Sequence, residues 1–158
     1  MLIPSIMIKG VIVKKLKKIE DERGCLLEIL RADDKIFEKF GQVYFTTCRP
    51  GIVKAWHYHK KKIDNFVCLK GKARIGLYDL REDSKTKGQS MEFIMSLDEP
   101  FLLKIPVGVA HGFEALGNEE CMILNTTTIP YNSKDTDEYR IDPFKNDIPF
   151  KWNAKEGK

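Results

Sequence analysis

The chain carries only three histidines, and all of them sit in two short motifs. His57 and His59 lie one residue apart in "GIVKAWHYHKKKIDNFVCLKG", and His111 stands in "IPVGVAHGF". In an extended strand, residues i and i+2 project to the same face, so His57 and His59 point together and Tyr58 points away. Asp64 follows a lysine-rich turn and opens the next apolar run, with Phe66 and Cys68 on its face. Imidazoles beside a carboxylate suit two kinds of chemistry. They can hold a divalent cation, and zinc, iron, manganese and nickel are all acceptable to this donor set. They can also move protons, because neutral imidazole accepts one near pH 7. A polar pocket that does neither is the third reading.

Short strands must bring these residues together. "KARIGLYDL" and "MEFIMSL" alternate between two faces, and "FLLKIP" and "ECMILNTTT" are short apolar or β-branched runs. Turn signals separate them: "RPG", "KGK", "KTKG", "DEP", "PVG" and "LGNEE". Many short strands at regular spacing predict an all-β antiparallel sandwich or barrel of the jelly-roll type. The pattern of "DDKIFEKFG" predicts a short helix over 33–41, with an acidic start and Gly41 as its stop.

At 158 residues the chain is expected to form a single domain. No apolar run approaches the ~20 residues of a membrane-spanning helix. The N-terminus is apolar and then basic, the reverse of a secretory signal, and is read as a strand or arm of a cytoplasmic protein. The four cysteines form no Cys-x-x-Cys pair and are expected to be buried free thiols. The formal charge of +4 comes with lysine clusters but no nucleic-acid motif, so the basic surface suits an anionic phosphorylated ligand rather than nucleic acid. Lys60 to Lys62 read as a solvated turn, and Trp56 and Trp152 as packing residues.

The first histidine motif runs Gly51, five residues, His57-x-His59, four residues, Asp64, six residues, Gly71; the second is Pro106-x-Gly108-x-x-His111. These resemble the two signature motifs of the cupin superfamily, with Asp64 in place of the usual glutamate. Pro100 and Ala115 stand where the second motif has glycine and asparagine. The resemblance implies a double-stranded β-helix, and implies that the histidines and the acid converge inside it, which makes His57, His59, Asp64 and His111 the candidate ligands of a divalent metal.

A closer resemblance is to the dTDP-4-dehydrorhamnose 3,5-epimerase family, over residues 21–152. It rests on "DERGCLLE", "YDLREDSKTKG", "IPVGVAHGF", "NTTTIPY" and "IDPFKNDIPFKW". Residues 1–20 would then be an N-terminal arm and 153–158 a tail. The resemblance implies a nucleotide-sugar epimerase or isomerase of surface-polysaccharide synthesis. Such an enzyme abstracts a proton beside the C4 ketone of a dTDP-4-keto-6-deoxy sugar and needs no cofactor. It makes His57 the base, with His59 and Asp64 assisting. Arg23, Glu28, Gln42, Tyr44, Lys54 and His111 become substrate contacts. It also implies a homodimer in which Arg23 serves the neighbouring cavity. The chain departs from the family at the chemical parts. The family's acid tyrosine aligns with Leu124, leaving Tyr131, Tyr139 and Tyr44 as candidates, Tyr131 being the one assigned. The family's lysine aligns with Asp64 and its glutamine with His59. The aspartate that orients the base has no counterpart. A divalent metal at the histidines could replace the lysine. Alternatively, the chain is a binding cupin without catalysis, or a metal-dependent cupin oxygenase.

Overall fold

Segments that alternate in sequence become strands because each can bury one face. The computed structural model describes residues 7–158; the apolar segment 1–6 of the expected arm lies outside the described residues. In chain order the strands are β1 (Ile12–Lys15), β2 (Lys18–Asp21), β3 (Gly24–Leu27), β4 (Gln42–Cys48), β5 (Ile52–Tyr58), β6 (Asp64–Lys70), β7 (Lys72–Asp79), β8 (Ser90–Ser96), β9 (Phe101–Ile105), β10 (Val109–Ala115), β11 (Cys121–Thr127), β12 (Tyr139–Arg140) and β13 (Glu156–Gly157). One sheet runs β1-β9-β6-β11-β4 and the facing one β12-β5-β10-β7-β8, with β13 parallel to β5 at its edge. The β2–β3 hairpin pairs with neither. This is the antiparallel jelly roll of a cupin.

The principal core lies between the two sheets. In β8, Met91, Phe93 and Met95 point in while Glu92 and Ile94 point out. Against them stand Ile75 and Leu77 of β7 and Leu103 and Ile105 of β9, all fully buried or nearly so. A second core covers the outer side of the six-stranded sheet. There Trp56 packs against Trp152 and Phe150, with ring centroids 4.8 and 5.4 Å apart. Gly76 of β7 has no side chain because a Cβ would lie 2.7 Å from the Trp152 ring. The C-terminal segment is strapped on by buried Glu114, whose carboxylate accepts the N–H groups of Asn153 (3.1 Å) and Ala154 (2.7 Å) and the Arg74 guanidinium (2.7 Å). Trp56 and Trp152 are therefore packing residues, as expected.

The expected helix over 33–41 does not form, and no helix occurs among the described residues. Two isolated turns replace it: Asp34 N–H donates to the Arg31 carbonyl and Phe37 N–H to that of Asp34. Nine residues give few helical hydrogen bonds to offset a costly first turn. Tertiary partners also claim the groups a helix would use. Lys14 Nζ binds the Asp34 carboxylate at 2.5 Å, and Lys104 Nζ takes the Ile36 carbonyl at 3.0 Å. The segment becomes a cover over β9, where Leu102 is fully buried.

The cysteine expectation holds in part. Cys48, Cys68 and Cys121 are buried free thiols, but Cys25 is exposed on the hairpin. No helix of the described residues is long and apolar enough to cross a membrane.

Candidate functional site

A cavity of about 550 Å³ opens between the sheets, in the usual size range for a small-molecule site. Its walls carry His57, His59, Asp64 and His111. His57 on β5 and His111 on β10 are direct cross-strand partners, and Asp64 begins β6 on the opposite sheet. Between His57 and Lys54 the β5 strand carries one extra residue relative to β10. Gly112 faces that bulge because a Cβ there would lie 2.2 Å from the Ala55 Cβ, which explains the glycine after His111.

Asp64 is the electrostatic centre. One carboxylate oxygen, Oδ2, faces His59 Nε2 at 3.0 Å and His111 Nε2 at 3.1 Å. The other, Oδ1, accepts from Asn125 Nδ2 at 2.8 Å. Burial opposes ionisation of this carboxyl, but the hydrogen bonds and charge of His111 and His59 outweigh it and hold the pKa well below the usual range. The rings are fixed from behind. His59 Nδ1 lies 2.5 Å from the Asp137 carbonyl and His111 Nδ1 3.1 Å from that of Val109. A carbonyl only accepts, so both Nδ1 atoms carry the proton. Each Nε2 then turns either a lone pair or a second proton toward Asp64. Two imidazole lone pairs and a carboxylate oxygen, all within 4.8 Å of one another, fit a divalent cation, with the carbonyl-fixed tautomers usual behind metal-binding histidines.

His57 is not in this group. It lines the cavity beside the triad, which leaves a three-ligand set where the cupin resemblance implied four. Burial first, and then neighbouring His111, push its pKa down to about 4, while Glu138 pulls the other way. The ring is therefore neutral at pH 7. Its strand places it opposite Arg140 of β12, which grips Glu138 at 2.6 and 2.9 Å.

The other expected residues divide. Tyr44 and Lys54 line the cavity, Tyr44 bonded to Asn125 (2.9 Å) and Lys54 to Thr46 (2.9 Å). Arg23 does not: it sits on the hairpin, 83% exposed, paired with Asp21. Glu28 is exposed and bonded to Arg31. Gln42 accepts from the Tyr131 N–H, and the Tyr131 ring is 61% exposed, outside the cavity lining. Tyr139 stacks on Tyr58, also outside the lining.

Four residues that the sequence did not single out complete the site: Asn125, Asp137, Glu138 and Arg140. Asn125 had a signal, as a polar residue that follows the apolar Cys121 and Ile123 on the inward face of its strand. Asp137 had none. It takes a left-handed backbone (φ 46°), and its carboxylate accepts the N–H groups of Lys60, Lys61 and Lys62, each at 2.9 Å. The lysine turn is thus clamped rather than merely solvated, and Lys62 is buried.

The chain matches the polysaccharide biosynthesis C-terminal domain family over residues 19–139. It is 46% identical over 149 residues to the spore coat polysaccharide biosynthesis protein SpsL of Bacillus subtilis, spanning 94% of this chain and 99% of that protein. It is 40% identical over 150 residues to the "Probable low-salt glycan biosynthesis epimerase Agl13" of Haloferax volcanii, spanning 94% and 96%. Among solved structures, a dTDP sugar isomerase from Desulfovibrio desulfuricans G20 superposes with a TM-score of 0.87 at 33% identity, covering 94% of this chain and 95% of that one.

Proposed function

The chain belongs to the polysaccharide biosynthesis C-terminal domain family, and we propose that it is a carbohydrate epimerase or isomerase acting on a dTDP-4-keto-6-deoxy sugar for a surface polysaccharide. The observation that carries this reading is a neutral imidazole, His57, on the wall of a sugar-sized cavity whose lining includes the cations Lys54, Arg140 and Lys158. Those cations suit the diphosphate of a nucleotide sugar. The ketone at C4 acidifies the hydrogens on its neighbouring carbons. His57 takes one of them, the electron pair moves onto the ketone oxygen, and a proton returned on the other face inverts the centre.

His59, Asp64 and His111 would hold a divalent metal, and such an ion would polarise the ketone oxygen and stabilise the negative charge that develops there. The protein is a cytoplasmic homodimer in this reading. The three buried free thiols suit a reducing compartment. The outer face of β4 leaves Val43 and Phe45 more than half exposed, and the unattached β2–β3 hairpin exposes Ile19 and Leu26. A second copy over these residues would bury them and carry Arg23 toward a neighbouring cavity. Phe45→Glu should convert the dimer to monomer in sedimentation analysis, and a wild-type monomer would remove this part of the reading.

The deciding experiment is proton NMR of dTDP-4-keto-6-deoxyglucose with the protein in deuterated buffer. Exchange at C3 or C5 is expected, and His57→Asn should slow it at least about 100-fold. A wild-type protein that exchanges neither hydrogen would end the epimerase reading.

A further inference from the structure

Inverting a carbon needs a base on one side of the sugar ring and a proton donor on the other. His57 stands on the six-stranded sheet, so the donor must come from the facing sheet. The position that aligns with the family's acid tyrosine, Leu124, cannot provide it even if the residue were changed. Leu124 pairs with Phe45 and Val67 on the outer face of the five-stranded sheet, whereas its neighbours Ile123 and Asn125 point inward.

Directly across the ladder from Asn125 is Tyr44 on β4. It is the one tyrosine of the five in the chain that lines the cavity. Its phenol oxygen accepts a hydrogen bond from Asn125 Nδ2 at 2.9 Å. An amide N–H only donates, so the phenol's own hydrogen is left over. No protein acceptor takes it among the described residues. We propose that Tyr44 is the proton donor of the reaction, the phenol having been moved one strand over from its place in the resembled family; this rests on the epimerase reading above. When the C–H bond facing His57 breaks, its proton goes to the imidazole and its electron pair to the ketone oxygen. As the enolate collapses, the Tyr44 O–H bond breaks and a new C–H bond forms on the opposite face. Imidazolium and phenolate remain, and solvent restores both.

The surroundings favour this direction of transfer. Tyr44 as a residue is 38% exposed, but desolvation at the cavity wall, and then the charge of Asp64, raise the phenol's pKa to about 12, so it holds its proton at neutral pH. The Asn125 N–H already points at the oxygen that becomes negative. Asn125 in turn is fixed by Asp64 and by the Asn65 N–H that donates to its Oδ1 at 3.0 Å.

The test is Tyr44→Phe, followed by NMR with dTDP-4-keto-6-deoxyglucose in deuterated buffer, reading exchange and inversion separately. The ring is kept, and a circular-dichroism melt checks that the variant is folded. Exchange should continue, because His57 can remove a hydrogen and return deuterium on the same face. Inverted product should fall about 100-fold or more. A folded variant that inverts at the wild-type rate overturns the assignment. So does one that loses exchange along with inversion, since that would make Tyr44 a binding residue. A wild-type protein with no exchange is a different failure: it removes the epimerase reading itself and this assignment with it.

Discussion

Two buried aspartates, Asp64 and Asp79, are both held ionised, and they are held in opposite ways. Asp79 ends β7 and is saturated. Arg81 grips it with Nε and Nη2, each at 2.8 Å, and Ser84 and Thr86 donate hydroxyls at 2.6 and 2.7 Å. Burial opposes its ionisation, but the Arg81, Ser84 and Thr86 bonds overcome this and hold its pKa well below the carboxylate norm. Arg81 also reaches the Lys9 carbonyl at 2.6 Å, tying the N-terminal segment to the turn. Nothing at this knot is left to offer a ligand. Asp64 meets two imidazoles whose far nitrogens are fixed by carbonyls, so the centre can exchange a proton or a cation. Burial alone therefore does not mark a functional acid; the chemistry of its partners does. The "DLREDSKT" segment, which reads as a family signature, is a structural knot.

The largest expected effect is on the knot. Asp79→Ala leaves a guanidinium and two hydroxyls without their acceptor and should cost about 3 kcal/mol in urea unfolding. The pH dependence follows from the same group. Its folded pKa lies below the unfolded value, so the unfolded chain binds more protons as the pH falls. The stabilisation is complete above about pH 4, the ordinary aspartate range, and drains away below it. Unfolding midpoints from pH 5 to pH 2 should fall steeply in wild type and less in Asp79→Ala; equal slopes would dissolve the contrast. Asp64→Asn is the smaller perturbation of stability. The amide can accept from Asn125 and donate to one imidazole, so metal-free protein should lose less than about 1.5 kcal/mol. Metal content by mass spectrometry should fall to background in the same variant, along with any chelator-sensitive rise in melting temperature. A variant that destabilises as much as Asp79→Ala would make Asp64 a second structural knot.

The strands were legible because alternation directly records which face is buried, as in Met91, Phe93 and Met95. The convergence of His59, Asp64 and His111 was legible through the resemblance of their two motifs to those of cupins, which implies that the histidines and the acid meet inside the barrel. What the spacing could not divide was the pair His57 and His59. Both project to one side, and the difference between them comes from a carbonyl 78 residues away, at Asp137. The segment over 33–41 misled because its local pattern is helical while its partners, Lys14 and Lys104, are distant in sequence. Tyr131 misled for a related reason: its motif position is kept, but Gln42 holds its backbone while the ring faces solvent.

Asp137 joins two tasks in one residue. Its side chain sets the course of the Lys60–Lys62 turn, and its carbonyl sets the orientation of the His59 ring. Its left-handed backbone is a conformation that aspartate and asparagine tolerate better than most residues. The connection between β11 and β12 is anchored here as well as at Tyr131, whose N–H donates to Gln42, and at Thr128, which exchanges hydrogen bonds with Ile63. An exchange of this connection that keeps Asp137 keeps the His59 ring in place, whereas changes at Glu138 and Arg140, which face the cavity beside His57, retune the base itself. That makes 129–141 the natural segment to graft when redesigning which sugar the barrel accepts.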